Sequence, residues 1–536
     1  MSATEELYRS YLDLRWHFDP SAATSVGITL HDGRLGAYDA DAMRIHLAAY
    51  RSMASAAEQL EVEDPQEEID RTAFLDEIRI TVFRFEKEKP HVHNPGFWLS
   101  HLFQSIHGLL RRREEPGGAG GDRARALLAR LRAAPDFLQS ARETLKDPPR
   151  VFLDTAAAMV EGGEQLFREA AAMARQQAPD LAEPLDDAAA SAEAALQRFG
   201  LALRNELRAH PDDLSFSIGE EQFNRRLHHE HALRAGAPEL YRYGLHLVEE
   251  VEQEITALAR SIDPQTSWRD LVARLRADAP LPSDPVGAFR DEMERSRRFV
   301  EARRLVTIPD GELQVVETPP FLRPLVPFAA YDPPGVFATD RTGLFYVTDG
   351  GAPARRDSCA LEIAATALHE GYPGHHLQML TAQALPSAVR QVSWTPVTVE
   401  GWALYCEEMM AEEGFFAGPE ERLFQRLHLL WRAVRIVLDV SLHTRGMTPA
   451  EGADYLVDRV AMDRAKAESE VSRYCAWPSY QLCYAVGRRE ILNLREVYRQ
   501  RAGAEFSLRR FHDELLSYGG LPVSLIRWGM GLGIEE

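Results

Sequence analysis

Apolar residues recur at three- and four-residue spacing along most of this chain. The spacing is clearest over residues 45–62, 122–145, 150–175, 180–209, 236–261 and 284–305. These stretches are rich in Ala, Leu, Glu and Arg, and the spacing predicts amphipathic helices there. Pro and Gly clusters interrupt it. EEPGGAGGD (114–122) reads as a loop between helices, and KDPPR (146–150) as a second stop. The pattern changes over 312–349. ELQVVETPP, VPFAAYDPPG, GVFATD and GLFYVTDGG are short β-branched and aromatic runs set off by Pro, Gly and Asp, and they predict a small antiparallel sheet or a set of hairpins. Helical spacing returns from about 357, with stops near Gly414, Gly446 and Pro478. There is no fixed-period repeat. The expected fold is mostly α: a large helical body with a deep cleft and a small antiparallel β-sheet before one helix of special interest. An N-terminal helical half (1–280) is expected to meet a C-terminal half (281–536), which holds the sheet and that helix, around the cleft.

Composition narrows the function classes. At 536 residues and 45% hydrophobic, the chain can bury a sizeable core. Its net charge of −21, with no Lys/Arg-rich block, argues against nucleic acid as a partner. No apolar run of membrane-spanning length occurs, so no membrane association is expected. MSATEELYRSYLDLRWHF is amphipathic and acidic early, unlike a secretion signal. Cys359, Cys406, Cys475 and Cys483 are widely spaced and read as reduced thiols of a cytoplasmic protein. Nothing in the sequence sets the oligomeric state.

The candidate chemistry lies in ALHEGYPGHHLQ (367–378). A helical H-E-x-x-H places two imidazoles one turn apart to bind zinc, with the glutamate as general base. Here His369 and Glu370 are present, but Pro373 stands four after His369, and histidines resume at His375 and His376. In a straight helix, position i+6 lies about 120° round the axis, and i+7 is back within about 20° but roughly 10.5 Å along it. Pro373 and Gly374 can break that regularity. A bulge or kink absorbing two residues returns His375 to the face of His369, and one absorbing three returns His376. His375 is preferred, because Gly374-His375 reproduces the Gly-His ending of H-E-x-G-H sites. Three histidines and a glutamate around a helix breaker favour a metal site over three packed or solvated histidines.

A catalytic zinc needs a third protein ligand and an open position. TPVTVEGWALYCEEMM (395–410) offers Glu400 on a helix downstream. Glu407 and Glu408 compete on the same helix and are read as a solvated acidic face. LHHEHALR (227–234) and HVHN (91–94) are read as polar surface, because neither brings a convincing third ligand.

HEGYPGHHLQ followed by EGWALYCEE resembles the domain of unknown function 885 family, and that family looks like a distant branch of the gluzincin metallopeptidases. LDVSLHTRGMTPAEG (438–452) and ESEVSRYCAWPSYQLCYAVGR (468–488) are similar to further segments of the family. Tyr480 departs from it, standing where a small residue, often Gly, precedes the glutamine. The resemblance is strong over the C-terminal 220 residues or so. It implies a helical fold with a long cleft and a zinc site, and leaves the substrate open. In angiotensin-converting enzyme, one of the gluzincins, an aspartate lies four after the third ligand. Here that position is Leu404.

On this reading zinc activates water and Glu370 moves its proton to the leaving amine. Tyr484 and His443 are the candidates to stabilise the oxyanion, with Tyr484 favoured by analogy with gluzincins. Asp439, four before His443 on a helix, is a candidate to orient it or to hold a zinc ligand in place from behind. Arg473 is a candidate clamp for a substrate carboxylate, with a structural ion pair to Glu470 as the competing role. GLFYVTD (343–349) could offer an edge strand to a peptide or be paired internally. The expected function is a zinc-dependent hydrolase of a short peptide or related amide. Alternatives are an amidase of a small metabolite, an Fe(II) enzyme of the two-histidine, one-carboxylate type, and a non-catalytic helical binding protein.

Overall fold

The computed structural model describes residues 2–111, 121–319, 323, 326, 329–348 and 359–533. Most of the EEPGGAGGD loop and parts of the 312–349 region lie outside them. Helices form where the apolar spacing predicts, and their ends are set by local chemistry. The first expected helix begins early, as Ala40–Glu58, because the Asp39 side chain accepts the backbone N–H groups of Asp41 and Ala42. The others are Asp122–Thr144, Arg150–Gln177, Ala182–Asn205, Ala237–Ile262 and Pro285–Arg303. The last starts behind an Asp284 cap with proline at its first position. Further helices end at Glu412, Thr444 and Ala476, matching the breaks near Gly414, Gly446 and Pro478.

The sheet is mixed rather than antiparallel. It contains β1 (Glu312–Glu317), β2 (Ala329–Asp332) and β3 (Thr342–Val347) in the order β1-β3-β2. β3 runs parallel to β1, from Glu312↔Thr342 to Glu317↔Val347, and antiparallel to β2. The turn residues between the strands mark where the chain reverses, but not which strand becomes the neighbour. β3 carries most of GLFYVTD and is the central strand, so it offers no free edge.

Packing ties the two ends of the chain together. Tyr8, Tyr11 and Phe74 share a core with Trp402, Tyr405 and Phe511. Phe223 and Leu247 pack with Leu430, Val437 and Tyr474 in a second core. A third core is drawn from residues 38–203 alone. The sheet packs through Val315 and Phe345 onto Phe289, Ile363 and Ala367, which fixes the helix that ends in His369-Glu370. All four cysteines are unpaired and buried. Among the described residues, no helix is long and apolar enough to cross a membrane.

Candidate metal centre

The H-E helix, Ile363–Glu370, stops at Glu370, and a new helix starts at His375 and runs to Gln383. Pro373 therefore separates two helices instead of kinking one. The Tyr372–Pro373 peptide is cis. The linker is pinned: the Trp402 indole N–H donates to the Pro373 carbonyl (2.9 Å), and the Gly374 N–H to the Leu368 carbonyl (3.0 Å). A side chain at position 374 would collide with the carbonyl of His369, so the turn requires glycine there. The result is two imidazoles whose ring centres are 4.9 Å apart, with planes at 89°.

Glu400 faces both rings from the helix Pro396–Glu412. Its Oε2 lies 3.4 Å from His375 Nε2 and 3.8 Å from His369 Nε2. These separations are too long for charged hydrogen bonds, which run about 2.7–2.9 Å. Donor atoms that share a tetrahedral ion through bonds of about 2.0–2.1 Å lie about 3.3–3.4 Å apart; the His375–Glu400 separation matches this, and the His369–Glu400 separation is longer. The donor atoms of His369, Glu370 and His375 lie within 4.8 Å of one another, the one such group among the described residues. Glu370 is half-buried and faces the adjoining cavity.

The surrounding groups fix these side chains. His369 Nδ1 is 2.8 Å from Glu407 Oε1, so the carboxylate sets which ring nitrogen carries a proton. The Tyr480 hydroxyl donates to Glu400 Oε1 at 2.7 Å and leaves Oε2 toward the imidazoles. Burial disfavours charge on His369, but Glu400 and Glu407 outweigh it and hold the ring at about 9. Burial likewise pushes Glu400 up, and His369 and His375 reverse this, keeping it well below the usual carboxylate range.

Glu407 and Glu408 do not form a solvated face. Glu407 is fully buried. Glu408 is buried too, and binds Arg426 (2.7 Å), Arg422 and Arg488 (3.2 Å each). Glu407 follows Glu400 by seven residues, two helical turns, so helical periodicity alone could have placed both on one side. His376 points away from Glu400: its Nδ1 is 3.0 Å from the Tyr331 hydroxyl, and burial lowers its pKa to about 4.

A cavity of about 920 Å³ opens beside these residues, lined by His369, Glu370, His375, Glu400, Tyr484 and Arg473 among others. Tyr484 stacks near His369, with ring centres 6.5 Å apart and planes at 19°. Arg473 lines the wall while ion-paired with Glu470 at 2.7 Å. His443 does not reach the cavity. It is fully buried against Phe216 and Phe223, with Nε2 3.1 Å from the Tyr474 carbonyl, so it has no role toward an oxyanion there. Nor does Asp439 orient it. Asp439 accepts the backbone N–H groups of Ser479 (3.0 Å) and Leu482 (3.1 Å), fixing the turn from which Tyr480 reaches Glu400.

The other histidine clusters are structural, and two members are not surface. His231 is buried between Thr395 and Ser479, past the end of its helix, and Glu230 pairs with Arg226. His91 is buried, and His93 Nδ1 is 2.9 Å from the Lys146 carbonyl.

No curated protein matches this chain. Two solved structures share its fold. One is a candidate lipoprotein of unknown function from Shewanella oneidensis, 23% identical, with a TM-score of 0.80 over 99% of this chain and 100% of that one. The other is a candidate lipoprotein from Colwellia psychrerythraea, 17% identical, with a TM-score of 0.84 over 99% of this chain and 98% of that one. Residues 20–530 match the family described as bacterial protein of unknown function (DUF885). The chain, over almost its whole length, belongs to that family.

Proposed function

We propose that this protein is a zinc-dependent hydrolase of peptide or related amide bonds, distantly related to the gluzincin metallopeptidases. One observation carries the reading: two imidazole nitrogens and a carboxylate oxygen converge at 3.4–3.8 Å without hydrogen-bonding one another, while Glu407 and Tyr480 hold them from behind. His369, His375 and Glu400 would hold the ion. Zinc bound there supplies Lewis-acid activation of water and of the substrate carbonyl. Glu370 is then the general base. It accepts a proton as the water oxygen bonds to the carbonyl carbon, and returns it to the nitrogen as the C–N bond breaks. Tyr484, on the cavity wall, donates its hydroxyl proton in a hydrogen bond to the developing oxyanion. Burial raises its pKa above the ordinary value, which keeps that proton in place at neutral pH.

The cytoplasm is the compartment we propose, since all four buried cysteines are unpaired. The test of function is hydrolysis of short peptides and amides by zinc-loaded protein. Glu370→Gln is expected to lower kcat by about 10²–10⁴-fold with zinc content unchanged. A variant as active as the wild type, or no turnover of any such substrate, would refute the reading.

A further inference from the structure

Opposite chemistry meets in the same cavity. The helix Pro419–Thr444 presents His428, Trp431, Arg432 and Arg435 to it, and Arg464–Ala476 presents Lys466, Glu470 and Arg473. Both sets follow the three- and four-residue spacing of a single helix face. Glu470 is shared by two guanidiniums, at 3.1 Å from Arg435 and 2.7 Å from Arg473. Arg432 has no carboxylate within ion-pair distance among the described residues. Its Nε is buried without a hydrogen-bond partner, and Nη1 reaches only the His428 carbonyl at 3.4 Å. Lys466 stands exposed nearby, its ammonium 5.6 Å from the Trp431 ring. Arg432, Arg435, Lys466 and Arg473 outnumber Glu470 and Asp463, which also lines this wall, so the wall is positive in a chain of net charge −21. A half-buried guanidinium with an unpartnered donor is costly unless an anion joins it. Arg432 lies beside the metal centre, 5.7 Å from the Tyr484 ring that also stacks on His369.

We propose that this wall is an anion subsite, in which the Arg432 guanidinium, with Lys466 at the mouth, binds a carboxylate of the substrate. The proposal rests on the hydrolase reading for the reacting centre and adds the substrate class: an acidic amide or peptide. The carboxylate can be a chain terminus or an Asp/Glu side chain, and both present the two-oxygen edge that guanidinium binds.

The test is calorimetric binding to full-length Glu370→Gln protein, so that turnover plays no part. Three probes are compared: acetyl-Ala-Ala-Phe, its C-terminal amide, and acetyl-Ala-Ala-Glu amide. At least one charged probe is expected to bind about tenfold or more tightly than the neutral amide, and the stronger of the two identifies the carboxylate source. Adding Arg432→Gln should abolish that preference, so that charged and neutral probes bind alike within the variant. Lys466→Gln, at an exposed position, should weaken the preference without affecting the fold. Equal binding of charged and neutral probes, or a preference that survives Arg432→Gln, overturns the proposal. If no peptide binds, the melting temperature of the wild type with succinate against succinamide decides: a rise specific to succinate and absent in Arg432→Gln supports the subsite, and no rise refutes it. Failure of the hydrolase reading looks different, because the charge preference would persist in a protein that turns nothing over.

Discussion

Tyr480 carries a role that its sequence context conceals. It sits in a turn held by Asp439, far from Glu400 along the chain, yet its hydroxyl donates to Glu400 Oε1. Removing that hydroxyl leaves a buried carboxylate oxygen without its donor and frees the side chain to rotate. Tyr480→Phe is expected to weaken zinc binding by about 10-fold or more in a chelator competition, with the fold retained. Unchanged affinity would show that Glu400 needs no such support. His369, Glu370, His375 and Glu400 were legible because their spacing within two short segments can be tested against helix geometry. Tyr480 was not, because nothing local links it to a residue 80 positions away. Glu407 lay between these cases. Its spacing from Glu400 was visible, but two adjacent glutamates in a helix ordinarily face water, and only the tertiary packing shows this helix to be buried.

At the level of elements, apolar periodicity located six helices to within about five residues, and the Asp39 and Asp284 caps fix where two of them start. It failed at the sheet, where strand partners depend on a crossover that no local signal encodes. It also could not show that the H-E helix ends outright, since a proline is compatible with either a kink or a break. The candidate metal centre further depends on a close helix crossing. Gly401 follows Glu400, and its position abuts the backbone of Gly487 on the helix Cys483–Ala502 that carries Tyr484. A Cβ at Gly487 would collide with the Val397 carbonyl. Gly487→Ala should therefore separate the two helices, costing about 1–3 kcal/mol in urea unfolding. It should also loosen zinc binding, since both walls of the site shift. A variant of wild-type stability would mean that the crossing has slack the geometry does not reveal.

For the whole molecule, cores that join Tyr8 to Phe511 and Phe223 to Tyr474 set the Glu400 helix between distant parts of the chain. Glu408 is a charged fastener in this assembly, binding three arginines from two neighbouring helices. Burial raises its pKa, but the guanidiniums of Arg426, Arg488 and Arg422 override that and lower it from 4.5 to about 2. A depressed folded-state value means that the contribution to stability is complete above about 4.5 and is lost as pH falls toward about 2. The urea midpoint should drop over that window, and less steeply in Glu408→Gln; identical slopes would contradict the role. If two histidines on separate helices and Glu400 hold one metal ion, the metal content of the purified protein beside Glu400→Ala will show it. About one zinc per chain is expected in the wild type, with that zinc lost in a variant that remains folded. No transition metal after reconstitution with zinc, or equal zinc in both proteins, would contradict it.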